Sequence, residues 1–153
     1  MVIRTAMDNF LTIVSSHEGD EASRIQKLTM CLDELAMLSN EVSYTFDERE
    51  YPDRPERDYK ASYTSIGNLF PSLGFYSSAL NILDIEQATL GIGDAIDDIV
   101  DIAGDLSEII WRYENTSEND ALFHFRLTFS SHWGLHLRNL QLYLYELYGQ
   151  YKA

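Results

Sequence analysis

Apolar residues recur along this chain at helical spacing, and the first such run is Ile3, Met7, Phe10, Leu11 and Val14. Steps of three and four place these side chains on one side of a helix, which His17, Glu18 and Gly19 bring to an end. Asp20 is a natural N-cap for a second helix, from about Glu21 to Leu38, with Ile25, Leu28, Leu32, Leu35 and Leu38 on its buried side. Residues 41–58 then break the pattern. They gather Asp47, Glu48, Arg49, Glu50, Asp53, Arg54, Glu56, Arg57 and Asp58 around Pro52 and Pro55, which predicts a long charged loop tied down by Tyr44, Phe46 and Tyr51. A third helix built on Tyr59, Tyr63, Ile66 and Phe70 should stop at Pro71, because proline has no N–H to continue the ladder. Between Ser72 and Gly93 the pattern fits either a short strand or an extended arm over Phe75–Leu83.

Two C-terminal helices follow. From about Gly93 to Tyr113, the residues Ile92, Ile96, Ile99, Ala103, Leu106 and Ile110 fall within a sector of about 80° at 100° per residue. A loop rich in Asn, Thr and Ser precedes a last helix from Leu122 to Tyr148, and Gly134 inside it predicts a kink or a close helix crossing. No repeat, low-complexity tract or linker divides residues 1–153. The reading is therefore one all-α domain, a helical bundle of about five helices with the charged loop at 41–58.

Composition makes this a folded rather than a disordered acidic chain. There are 11 Lys and Arg against 25 Asp and Glu, a formal charge of −14, yet 45% of residues are apolar and 12% aromatic. Such a charge repels nucleic acid and anionic membrane, so neither is an expected partner. Arg4 and Asp8 interrupt the one leader-like stretch near the N-terminus, and nothing approaches the roughly 20 apolar residues of a membrane span, so the expected compartment is cytoplasmic. The single Cys31, among Leu28, Leu32 and Leu35, reads as core packing rather than as a nucleophile.

The negative charge is concentrated. Between Lys60 and Arg112 there is no basic residue, while Asp84, Glu86, Asp94, Asp97, Asp98, Asp101, Asp105 and Glu108 are all acidic. The last six fall opposite the apolar sector of their helix, within about 100° of one another. The simplest reading is a solvated outer face. Like charges four apart nevertheless cost several tenths of a kcal/mol per pair, and only Glu108 with Arg112 makes a favourable one. Such a stripe suits either of two functions. The first is a non-enzymatic interaction protein, regulatory or toxin-neutralising in type, that offers Asp94 to Glu108 to a basic protein surface and needs no cofactor. The alternative is a divalent-metal-dependent hydrolase or metal-binding helical protein that uses the same face for a divalent cation. Asp97-Asp98-Ile99-Val100-Asp101 spells D-D-x-x-D, the diphosphate–magnesium motif of helical prenyl-transferring enzymes, but the second acidic motif those enzymes need is missing. Glu18 and Glu21 match E-x-x-E only across a helix junction.

His132 and His136 lie four apart, a spacing that suits zinc or di-iron ligation and equally suits packed histidines at the edge of an apolar face. His124 points about 80° away from His132, and His17 reads as a helix-end residue. Arg126 falls in the apolar sector of Leu122, Phe129, Trp133 and Leu140, which predicts a buried guanidinium paired with a carboxylate from another helix, or an anion site in a cleft. Leu142, Leu144, Tyr145, Leu147, Tyr148 and Tyr151 make the last helix apolar nearly all round, as for a core element or a homodimer contact. The chain has no P-loop, nucleophile elbow or H-E-x-x-H.

The Asp-rich run from Asp94 to Leu106, Trp111-Arg112-Tyr113-Glu114, Ala121 to Arg126, and His132-Trp133-Gly134-Leu135-His136-Leu137 together resemble an uncharacterised bacterial family that carries a domain of unknown function. The resemblance covers chiefly residues 90–145 and is weaker before residue 60. It implies a mainly helical bacterial protein of this size and supplies no activity, substrate or catalytic residue.

Overall fold

The structure, a computed structural model, describes residues 2–149. Helix α1 (Val2–Ser15) buries Met7, Phe10 and Val14 of the first run together with Ala6, while Ile3 and Leu11 are partly buried at its edge. The chain turns at Gly19, whose φ is +74°, and the Asp20 carboxylate accepts the Ser23 N–H at 2.8 Å to cap α2 (Glu21–Ser39). Cys31 is buried in α2, where desolvation, helped by the charge of Glu34, pushes its thiol up to about 11. That thiol is a core residue, not a nucleophile at neutral pH. Helix α3 (Tyr59–Leu69), capped by Asp58, stops just before Pro71 as expected.

Helix α4 (Ala95–Asn115) packs against α1, α3, α5 and α6 and forms the centre of the bundle. Helix α5 (Glu118–Thr128) starts a turn before the predicted Leu122, because Ser117 caps a polar first turn that carries no apolar periodicity. It continues without a break through a π turn at Phe129–Trp133 into α6 (Gly134–Leu144), and a second π turn follows at Tyr145–Gly149. The described residues thus form five helical rods, and the all-α class holds.

The π turn has a cause in the sequence. Phe125, Phe129, Trp133 and Leu137 are spaced in steps of four, and each such step drifts about 40° in an ideal α-helix. The wider turn absorbs that drift. Trp133 is fully buried, with the rings of Phe125 and Phe129 edge-on to it at 5.2 and 4.7 Å, and its indole N–H donates to Thr128 Oγ1 at 3.1 Å.

Residues 72–93 resolve as a hairpin. Strand β1 (Phe75–Leu80) pairs antiparallel with β2 (Thr89–Asp94), Ser77 opposite Ile92 and Ala79 opposite Leu90. The second strand escaped the sequence reading because its two glycines mask the alternation and it runs directly into α4. The charged stretch 43–58 has no regular secondary structure and lies as a strap on the bundle. Tyr44 and Phe46 meet Phe123 edge-on at 5.5 and 5.1 Å and so anchor the strap, as expected, whereas Tyr51 donates its hydroxyl within the strap to Asp47, the residue that Ser117 binds from the bundle. Among the described residues no helix is long and apolar enough to cross a membrane.

Gly134, where the sequence predicts a kink or a close helix crossing, closes the π turn. Its N–H donates to the Phe129 carbonyl five residues back, and a Cβ at this position would stand 2.2 Å from that carbonyl oxygen. Glycine to alanine in a helix interior ordinarily stabilises by about 1 kcal/mol. Here Gly134→Ala is expected to destabilise by about 1–3 kcal/mol through overcrowding, read as a lower melting temperature in thermal unfolding; a raised one would show that the π turn imposes no such constraint.

Candidate functional site

The acidic face of α4 is not a solvated outer surface. Asp98 and Asp105 are 3% and 4% exposed. Rotation arithmetic correctly puts them opposite the apolar sector, but α4 is the central helix and its second side is covered as well, by α3, the hairpin, the strap and the last rod. Asp84 and Glu86 part company with the stripe and sit exposed at the hairpin tip.

Five of the six helix acids accept hydrogen bonds within the chain. Asp94 caps α4 through the Ile96 N–H at 3.0 Å and accepts from the Tyr63 hydroxyl at 2.6 Å. Asp97 accepts from the Tyr59 hydroxyl. Asp98 accepts from the Tyr76 hydroxyl on one oxygen and has Nδ1 of His136 at 2.7 Å on the other. Asp105 accepts from Arg57 at 2.8 Å and has Nδ1 of His132 at 2.6 Å. Glu108 lies 3.0 Å from Arg54, 2.8 Å from Arg57 and 2.9 Å from Arg112. Buried carboxylates need this satisfaction, since leaving one without its partner costs about 3–5 kcal/mol.

The histidine pair and the acidic helix, two separate features of the sequence, therefore meet. An ionised carboxylate only accepts, so Nδ1 of each imidazole carries the proton, and in the neutral ring Nε2 is left with its lone pair. Both Nε2 atoms face Asp101, whose Oδ2 lies 3.2 Å from His136 and 3.9 Å from His132. Asp101, His132 and His136 each bring a ligand-type atom within 4.8 Å of the others, as do Asp97, Asp98 and His136. Burial, with the charge of Asp97 next, pushes the Asp101 carboxyl above its ordinary value, although the two histidines oppose this. The hydrogen bond to Asp98 raises His136 against the cost of burial. His132 stands in the π turn, with its side chain 43% exposed, so the cluster opens to solvent.

Other candidates lie elsewhere. His124 is 3.6 Å from Asp120, and burial followed by the charge of Arg112 lowers its pKa. Glu21 holds the Ser72 N–H at 2.8 Å, and Glu18 sits in the α1–α2 link, so the E-x-x-E match forms no site. Arg126 is exposed, and its guanidinium donates to the Ser39 carbonyl at the end of α2 instead of to a carboxylate. The expectation failed because the apolar sector was drawn across the π turn; before that turn the buried face is Ala121, Leu122 and Phe125, with Arg126 at its edge. In the last rod Leu144 is buried while Leu142, Tyr145, Leu147 and Tyr148 are exposed, and Tyr151 lies outside the described residues. Sequence reasoning missed Tyr59, Tyr63, Tyr76 and Arg57 as partners of the acids. Only the strap's arginines, interleaved with acids, gave any signal.

Fold and site together define a helical-bundle protein with a histidine–aspartate cluster between its central helix and its last rod. The family described as Domain of unknown function (DUF5063) matches residues 3–150, and the chain belongs to that family. Among solved structures it is similar to the crystal structure of protein BF1032 from Bacteroides fragilis, with a TM-score of 0.77 and 16% identity over 99% of this chain and 93% of that one. At that identity the likeness is one of fold. No curated protein matches the chain.

Glu108 gives the site region a pH dependence. Burial alone would raise its carboxyl, but hydrogen bonds from Arg112 and Arg57 and the charges of Arg112 and Arg54 carry it below its ordinary value of 4.5. A folded pKa below the unfolded one stabilises above the unfolded value and loses that stabilisation as pH falls through the folded one. Melting temperature is expected to fall on acidification below about 4.5, less steeply in Glu108→Gln; equal slopes in the two proteins would remove Glu108 from the account.

Proposed function

We propose that the protein binds a divalent transition metal through Asp101, His132 and His136. One observation carries this reading: both imidazoles are fixed through Nδ1 by buried aspartates, Asp98 and Asp105, so that both Nε2 atoms converge on a third carboxylate. Carboxylates behind metal-ligating histidines fix the tautomer and raise the ligand's basicity, and they are the usual outer shell of such centres. Four aspartates crowded along one helix face without a lysine on that helix would also repel one another less around a cation. Two imidazole nitrogens with one carboxylate suit zinc or iron better than magnesium or calcium, which favour all-oxygen sets. The D-D-x-x-D reading, which rests on carboxylates alone, is therefore not the preferred one.

Three protein ligands leave coordination open, the pattern of catalytic rather than structural zinc. The chemistry a metal supplies in such a setting is Lewis-acid activation of water, so hydrolysis is the reaction class this reading favours. The chain's own part would be orientation: Asp98 and Asp105 aim the rings, while Tyr76 and Arg57 hold those two carboxylates in place. The same geometry weighs against the stripe as an open docking surface for a basic protein, since its charges are already engaged by Tyr59, Tyr63, Tyr76, Arg54, Arg57 and Arg112.

Chelator-treated protein mixed with Zn²⁺, Fe²⁺, Mn²⁺ or Mg²⁺ should be stabilised by a transition metal by about 2.7 kcal/mol at 100 times Kd, a rise of about 5–10 °C in melting temperature for a chain of this size. Asp101→Asn and His136→Gln should each abolish the rise. A shift no larger than that of monovalent salt at matched ionic strength, or one kept in both variants, would refute the assignment.

A further inference from the structure

The β1–β2 hairpin projects from the bundle as an arm with an unusual surface. Alternation along β1 and the pairing register put Phe75, Ser77, Ala79, Leu90 and Ile92 on one face, and all five are exposed. The opposite face, with Tyr76 and Gly93, is half-buried. At the tip, Ile82, Leu83 and Ile85 point into solvent. Exposure of the six largest of these side chains, Phe75, Ile82, Leu83, Ile85, Leu90 and Ile92, runs from 71% to 97%. A lone two-stranded hairpin is marginal in water even without such a load.

The area can be weighed. Six large apolar side chains at on the order of 100 Å² each give roughly 600 Å², already at the top of the range for the largest patch on a monomer. Ser77, Ala79 and the strand backbone bring this close to the roughly 800 Å² per partner that a stable dimer buries. On the other side of β1 a groove of about 570 Å³ separates the arm from α6, reached from the patch by Ile82 and bordered by the exposed Leu135 and Leu142.

We infer that this arm is a homodimer interface, occupied by the arm of a second copy of this chain across a two-fold axis. Residues 75–83 and 87–93 contain no charged side chain; of the hairpin's three acids, Asp84 and Glu86 stand at its tip, and Asp94, opposite Phe75 at its base, is engaged in capping α4 and by the Tyr63 hydroxyl. A basic partner would find little charge to meet on this face, whereas an uncharged apolar face is what permanent homodimers bury. An isologous contact needs one surface that complements itself, and an apolar face packed on its own copy does so. This interface differs from one through the C-terminal helix alone, and it does not depend on the metal assignment.

Sedimentation equilibrium of the full chain, from micromolar to submillimolar concentration, tests it. Wild type is expected at twice the chain mass. Leu90→Lys combined with Ile92→Lys, and separately Leu83→Glu combined with Ile85→Glu, should return it to the chain mass with an unchanged far-ultraviolet circular dichroism spectrum, whereas Tyr145→Lys with Leu147→Lys should remain dimeric. The tip pair lies outside both strands, so it decides the matter should the strand pair disturb the hairpin. A monomeric wild type, or a dimer that survives the tip substitutions, would overturn the inference, and dissociation by the Tyr145 and Leu147 pair alone would move the interface to the C-terminal helix.

Discussion

Two carboxylates buried on a central helix set the terms for the rest of this structure. Asp98 and Asp105 sit among helices that also bury Ile99, Ile102 and Leu106, and a charge in that setting is tolerable only when it is paired and hydrogen-bonded. Three elements around α4 meet that requirement. The hairpin brings Tyr76 to Asp98, the strap brings Arg57 to Asp105, and the last rod brings one imidazole to each. Polar satisfaction, as much as apolar packing, decides where the hairpin and the strap come to rest.

The pairing also converts two ordinary histidines into an ordered pair. His132 and His136 would be adjacent on any regular helix. Anchored through Nδ1, they present the same nitrogen in the same direction, toward Asp101. The π turn contributes by keeping Trp133 in the core while His132, its neighbour, remains at the surface of the last rod. Wider helical turns recur at functional sites for this reason, since they change which residues share a face.

Much of the bundle was legible in the sequence, because the runs on α1, α2 and α4 follow one period and end at recognisable caps. What was not legible followed from long-range contact. The six acids were visible as a stripe, but a rotation diagram describes a helix with one buried side, and α4 has two. Arg126 was misplaced because the diagram assumed 100° per residue across a π turn. The steps of four from Phe125 to Leu137 were a local sign of that turn. The meeting of the stripe with His132 and His136 had no local sign at all, since spacing within a helix says nothing about which helix it faces. Strand β2 was hidden by Gly91 and Gly93, residues that strand propensity disfavours.

The strap gives the molecule two kinds of cohesion. The rods are held by apolar side chains whose contacts are indifferent to simple salt, or strengthened by salts excluded from protein surface. Residues 49–57 are held chiefly by arginines that reach Glu108 and Asp105, and attraction between partly exposed charges is screened within about a Debye length. Ionic strength therefore acts on the two parts separately. As it rises, the bundle keeps its shape while the strap's hold on α4 weakens, first between Arg54 and Glu108, where the cation is the more exposed.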